Sequence, residues 1–255
     1  MDDTALVELA GGLAGEAAQE ILRIRDAGFT VGRKPDETPV TLADMSAERL
    51  IVEALRAAMP RLPVIAEEEI AAGRITRPGD EYWLVDPLDG TRGFAEGGDD
   101  FTVNIGLVRQ GRAVLGAVAC PASGEIFSGI VGVGAWKRVH GRKHPVRACL
   151  PPPGGLRVMA SRHYRNDPKL AELLATYPVA SLTNIGSAQK FCRIAEGAAD
   201  FYPRLGPTME WDTAAPQAVL EAAGGSTRTF EGETLTYGKP GFINPPFLCH
   251  GVERG

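Results

Sequence analysis

The chain lacks any run of the roughly 18 apolar residues that a membrane-crossing helix requires. Its opening, Met1-Asp2-Asp3, carries neither the basic start nor the unbroken apolar stretch of a secretory signal, so a soluble, cytoplasmic protein is expected. Cysteine is scarce: Cys120, Cys149, Cys192 and Cys249 lie far apart with no C-x-x-C pair. That spacing argues against a zinc knuckle or a redox motif and predicts reduced thiols. Basic charge is in deficit, with 27 Lys and Arg against 32 Asp and Glu, which leaves no footprint for duplex nucleic acid. A polyanionic substrate would need metals or a few placed cations. The four histidines, His140, His144, His163 and His250, show no zinc-ligand spacing. There is no internal repeat and no low-complexity tract. What is present is ordinary globular material, 255 residues with 44% apolar content, enough for one large domain or two modest ones.

Leu6, Leu9, Leu13, Ala17, Ile21 and Ile24 recur at helical spacing and predict an amphipathic helix ending before Gly28. Ala47, Leu50, Ile51, Ala54, Leu55 and Ala58 make a second stripe that Pro60 stops. These helices should pack on a sheet. Its strands are expected at Pro63 to Ala66, Tyr82 to Val85, Phe101 to Arg109, Ala113 to Ala119 and Glu125 to Val131. The later ones should be antiparallel, because turns as short as Gln110-Gly111 cannot make a parallel crossover. After a linker at Pro151 to Gly155 the pattern changes to alternation. Strand-like Leu156 to Ala160, Val179 to Leu182 and Asp200 to Pro203 are interleaved with helical Pro168 to Ala175, Ser187 to Glu196 and Asp212 to Ala223. The expected organisation is an N-terminal α+β subdomain, 1–150, and a C-terminal α/β subdomain, 151–255.

Trp83-Leu84-Val85-Asp86-Pro87-Leu88-Asp89-Gly90-Thr91 is the most informative stretch. An apolar strand delivers Asp86 at its end, and Pro87 turns the chain so that Asp89 can swing back beside it, freeing the Leu88 carbonyl. Two carboxylates and a carbonyl are hard oxygen ligands of the kind Mg2+ prefers. Gly90 lets a phosphate approach the backbone, and the N–H groups of Gly90 and Thr91 would open the next segment as an anion site. The run Glu67-Glu68-Glu69 follows strand-like Val64-Ile65-Ala66. Such runs are ordinarily solvated faces, but this one stands at a strand end just upstream of Asp86, where Glu67 can join the same cluster. Asp212, opening a helix, reads as an N-cap aspartate or as a ligand contributed by the second half. Four such carboxylates cannot persist within a few ångströms unneutralised. Two or three Mg2+ ions would resolve the conflict, activating a water and stabilising the leaving oxygen. Thr41 and Asp44 form a capping box for the second helix; alternatively, Asp44 accepts a hydrogen bond from Thr91, which then orients the attacking water. The two roles are compatible.

P-V-T-x-A-D at Pro39 to Asp44, the acidic run at Glu67, D-P-L-D-G-T at Asp86 to Thr91 and W-D-T-A-A at Trp211 occur in the order found in the inositol-monophosphatase superfamily, which the chain resembles from about Val31 to Asn244. The resemblance implies a layered α-β-α-β-α sandwich. It implies metal ligation by Glu67, Asp86, the Leu88 carbonyl, Asp89 and Asp212, an outer role for Glu68, and water activation by Asp44 and Thr91. It also implies inhibition by lithium.

Tyr82 to Asp86, Phe101 to Ile105, Ser161-Arg162, Ser187 to Phe191 and Tyr202 to Thr208 look more like the bisphosphate nucleotidases of this superfamily, the CysQ type. A substrate with a second phosphate needs fixed cations beyond the metals, and Lys190 and Arg204 are candidates; the plainer alternative for Lys190 is a helix-surface lysine. Where related nucleotidases read S-R-S-H, this chain has Ser161-Arg162-His163-Tyr164, so Tyr164 occupies the slot of the expected histidine and can stack on adenine. Inositol phosphatases place a substrate-binding glutamate seven residues before the last metal aspartate; here that position is Leu205.

The reading is a Mg2+-dependent phosphomonoesterase that converts adenosine 3′,5′-bisphosphate to AMP and phosphate, with possible use of the sulfated analogue and a place in sulfur assimilation. An inositol or sugar phosphatase on the same scaffold is the nearest rival, and a non-catalytic phosphate-binding module is a second. A two-carboxylate glycosidase is weaker, because the acids cluster as cation ligands instead of facing each other across a sugar. Monomer and homodimer are both open.

Overall fold

A computed structural model describes residues 1–34 and 39–252, without the side chains of Pro39 and His163, so the displaced histidine lies outside the described side chains. The first helix, Asp3–Ala27, is started by Asp2, whose carboxylate accepts from Ala5 N, and is closed by Gly28 at φ 81°. The second, Leu42–Ala58, carries the full Thr41/Asp44 capping box and ends before Pro60. Their apolar faces meet each other and one face of a seven-stranded sheet, and Val7, Ile21, Ile51 and Leu55 are fully buried there. Each such side chain contributes roughly 1.5–3 kcal/mol through removal from water.

The sheet contains Val64–Ala66, Glu81–Asp89, Thr102–Arg109, Arg112–Cys120, Glu125–Ile130, Gly134–Val139 and Arg142–Val146, adjacent in that order. Its first pair is parallel and all the others antiparallel. Gln110 and Gly111 both have positive φ, 49° and 72°, the geometry of a tight hairpin turn. The same geometry at His140-Gly141, φ 48° and 73°, joins the last two strands, which the sequence reading did not foresee. Their charged run, Lys137 to His144, hides the alternation, as is common on an edge strand.

The second sheet has five strands in the order Val179–Ile185, Leu156–Ser161, Phe201–Arg204, Phe247–His250 and Ser226–Thr229. The first two are parallel, linked through the helix Pro168–Leu174. Between the sheets lie the helices Gln189–Ala195 and Glu210–Ala222. The whole is a layered α+β sandwich in which helices and sheets alternate.

The Glu210–Ala222 helix belongs to the second half of the chain but lies directly on the first sheet. Gly106, Gly116 and Gly129 stand side by side on three neighbouring strands and form its seat. A β-carbon at Gly106 would come 2.6 Å from Ala215 N, one at Gly129 would come 2.8 Å from Ala222 Cβ, and one at Gly116 would press on the Ala215 backbone closer still. Only glycine lets the helix settle at this depth, and with it Asp212.

Candidate active site

A cavity of about 600 Å³ opens where the two halves meet. Its walls include Glu67, Asp86, Leu88, Asp89, Gly90, Thr91 and Asp212, and also Ser161, Ser187, Lys190 and Arg204.

The strand carrying Asp86 does not stop there as the sequence suggested; it runs on to Asp89 through a bulge. Asp86 pairs with Asn104 and Asp89 with Thr102, so three residue steps on one strand match two on the other. In a regular strand residues three apart point to opposite faces. The extra residue restores phase and brings both carboxylates to the cavity side. Pro87, which has no N–H to lose, sits in this bulge, and Leu88 N donates to Asp86 Oδ1 at 3.0 Å.

Gly90 follows at φ 98°, and a β-carbon there would lie 2.7 Å from the Asp100 carbonyl. The backbone itself therefore requires glycine, a stronger reason than access for a phosphate. Gly90 caps a short helix, Thr91–Ala95.

Asp212 is the third residue of its helix, not the N-cap the sequence implied. Met209 holds the cap position, and Asp212 Oδ2 accepts from Met209 N at 2.9 Å. One carboxylate oxygen is thus tied to its own helix end. Glu67, Asp86 and Asp212 each offer an oxygen within 4.8 Å of the others.

Burial, then the charges of Glu67, Asp89 and Asp212, push the Asp86 carboxyl well above its ordinary pKa. Burial, then Asp89 and Glu67, do the same to Asp212. Asp89 is raised by burial, against the opposing pull of Lys190 and Arg204. Such a set is stable in ionised form only around cations, and an all-carboxylate donor group fits a hard divalent ion.

Thr91 Oγ1 lies 2.9 Å from Asp44 Oδ1 and 2.9 Å from the Leu88 carbonyl. Asp44 Oδ2 meanwhile accepts from Thr41 N and Thr41 Oγ1, so both roles read for Asp44 coexist in one buried carboxylate. A hydroxyl has one proton to give. With that proton given to Asp44, the Leu88 oxygen is left available.

Glu68 faces away from the main cavity, toward Lys34 and a second cleft, and burial pushes its carboxyl up to about 7. Its N–H donates to Glu48 Oε2 at 2.6 Å.

Lys190 is no surface lysine: it is 3% exposed. Its ammonium donates to the Ile185 and Ser187 carbonyls and lies 5.0 Å from the Tyr202 ring centroid. Burial pushes its pKa down to about 8. Ser187, at φ 52°, is a left-handed non-glycine residue beside it, an arrangement that stores backbone strain. Arg204 donates to the Gly206 and Pro207 carbonyls. Tyr164 does not line the cavity: its ring lies 5.4 Å from the Arg204 guanidinium carbon, and its hydroxyl fills the space a β-carbon at Gly206 would need.

Three participants were not foreseen. Lys34 Nζ bridges Glu67 at 2.6 Å and Glu68 at 2.7 Å; burial alone would lower its pKa, but the two carboxylates outweigh that and raise it. Asp100 pairs with Arg162 and accepts from Gly186 N at 3.1 Å, joining the two walls of the cleft. Asn104, fully buried opposite Asp86, was detectable as a polar residue inside an apolar strand.

This fold and centre define a family: the inositol monophosphatase family matches residues 2–252, and the chain belongs to it. Among curated relatives it is similar to the 3'(2'),5'-bisphosphate nucleotidase CysQ of Salmonella typhimurium, 41% identical over 240 residues, covering 92% of this chain and 95% of that one. The protein of the same name in Escherichia coli K12 is 40% identical with the same coverage. The crystal structure of CysQ from Bacteroides thetaiotaomicron superposes with a TM-score of 0.79 at 30% identity, covering 98% of both chains. No helix among the described residues is long and apolar enough to cross a membrane.

Proposed function

We propose that the protein is a Mg2+-dependent 3′(2′),5′-bisphosphate nucleotidase that hydrolyses adenosine 3′,5′-bisphosphate to AMP and phosphate. The observation that carries this reading is the pairing, in one cavity, of a partly buried carboxylate cluster with two fixed cations, Lys190 and Arg204. A monophosphate substrate needs only the cluster. A second phosphate explains why a lysine and an arginine are held in the same cavity.

Glu67, Asp86, Asp89, Asp212 and the Leu88 carbonyl would hold two or three Mg2+ ions, which supply charge for the phosphoryl oxygens and lower the pKa of water. Thr91, with its proton engaged by Asp44, orients the attacking water toward the 3′-phosphorus for in-line displacement. The N–H groups of Gly90 and Thr91 face the phosphate being removed, while Ser161, Ser187, Lys190 and Arg204 receive the rest of the substrate. Tyr164 takes part through Arg204, over which it lies. Subdomains 1–150 and 151–255 would then each supply one side of the centre. Four free cysteines suit a reducing cytoplasmic setting.

The test compares phosphate release from adenosine 3′,5′-bisphosphate, its sulfated analogue and inositol 1-phosphate across a Mg2+ titration. A preference for the bisphosphate supports the reading. Preference for inositol 1-phosphate would transfer it to the sugar-phosphatase branch, and ligand binding without turnover would leave a phosphate-binding module.

A further inference from the structure

The helix Glu67–Ala71 carries Glu67 and Glu68, yet it begins at Ala66 with no side-chain cap of its own. Its first N–H groups are orphans that need an acceptor. Glu48 provides one from a different helix: its Oε2 accepts from Glu68 N at 2.6 Å, and the Glu69 N–H also points to this carboxylate. Glu48 is 4% exposed and Asp44 is 1% exposed. They stand four residues apart on Leu42–Ala58, one above the other on the same helical face. The Asp44 carboxylate holds the Thr91 hydroxyl at 2.9 Å, and the Glu48 carboxylate holds the start of the Glu67–Ala71 helix. One rigid helix therefore grips both the water-orienting threonine and the segment bearing Glu67.

We propose that Glu48 is a positioning residue for the metal centre: a cap supplied from another helix that fixes where Glu67 stands relative to Asp86 and Asp212. The inference rests on the proposed reading of the carboxylate cluster as a divalent-cation site. Glu48 does not line the main cavity. It acts through the backbone of Glu68, so it governs how well the centre is formed before any ion arrives. Partners behind metal ligands typically account for about 10–100-fold in metal affinity.

The test measures Mn2+ binding to the full chain by the loss of the free-ion electron paramagnetic resonance signal, without substrate, for wild type, Glu48→Ala and Glu48→Gln. Glu125→Gln, remote from the centre, serves as a control for lost thermal stability. Glu48→Ala should weaken Mn2+ binding by about 10–100-fold and raise in proportion the Mg2+ concentration giving half-maximal turnover. The KM for adenosine 3′,5′-bisphosphate at saturating Mg2+ should stay within about twofold of wild type. Glu48→Gln keeps one acceptor oxygen for Glu68 N–H and should fall between, with a loss of about threefold or more. Glu125→Gln should bind Mn2+ as wild type does. Wild-type Mn2+ affinity in folded Glu48→Gln or Glu48→Ala, whatever happens to the melting temperature, would overturn the inference while leaving the centre intact. Failure of the wild-type protein itself to bind Mn2+ would overturn the centre and the inference with it.

Discussion

Thr91 Oγ1 stands 2.9 Å from Asp44 Oδ1 although 47 residues separate them in the chain. The contact is made because the Asp86–Asp89 bulge and the capped start of Leu42–Ala58 converge behind the cavity. Removing the hydroxyl while keeping the shape isolates its chemistry: Thr91→Val is expected to lower kcat by about 10²–10⁴-fold. Mn2+ affinity should change little, since the Leu88 carbonyl and the carboxylates are untouched. Equal loss of metal binding would make Thr91 a structural tie only.

The carboxylate cluster predicts an absolute need for divalent ions. Chelation with EDTA should abolish turnover and Mg2+ should restore it. Asp89→Asn should leave turnover abolished at saturating Mg2+. Wild-type rates in that variant would remove Asp89 from the centre.

Lys190 gives a pH signature. Its ammonium attracts a phosphate only while protonated, and burial has brought its pKa down to about 8. The kcat/KM for adenosine 3′,5′-bisphosphate should therefore fall as pH rises through about 8, whereas hydrolysis of a monophosphate should not show that limb. In Lys190→Met the bisphosphate profile should lose the same limb and kcat/KM should drop by about 10-fold or more. A profile unchanged by the substitution would take Lys190 out of substrate recognition.

Glu125 links the first sheet to the helix Gln189–Ala195 through Arg193 at 2.5 Å and shares Lys137 with Glu196. Burial alone would raise its pKa, but Arg193, Lys137 and Ser123 overcome that and hold it at about 2, below its usual 4.5. The stabilisation is thus fully present above about pH 4.5 and is lost as pH falls toward 2. Glu125→Gln should cost about 2 kcal/mol at pH 7. In denaturant melts the gap from wild type should close between pH 4.5 and 2; a gap constant with pH would mean packing, not charge, is responsible.

The two long helices were legible because Leu6 to Ile24 and Ala47 to Ala58 repeat at 3.6 residues and because their caps are local. Asp86, Asp89 and the Thr91 neighbourhood were legible as a motif. The means by which Asp86 and Asp89 share a face was not, since a bulge is defined by its partner strand, Thr102–Arg109, and not by its own residues. The N-cap reading of Asp212 failed for a similar reason: the strand Thr208–Met209 pairs with Ile243–Asn244 and starts the helix two residues early. Lys34 and Glu48 left no signal, being ordinary polar residues until the fold brings the Glu67–Ala71 helix against them. The burial of Lys190 was not legible, because helical spacing does not reveal that a second sheet covers that face.

The row of Gly106, Gly116 and Gly129 under the Glu210–Ala222 helix makes the first sheet a ruler for chemistry that happens elsewhere. Three hydrogen atoms, standing where other sheets carry side chains, set how near Asp212 comes to Asp86. The spacing of these carboxylates is therefore dictated partly by what is missing from a surface that lies outside the cavity. A single methyl group added to that surface would detune the reaction without altering any group that performs it.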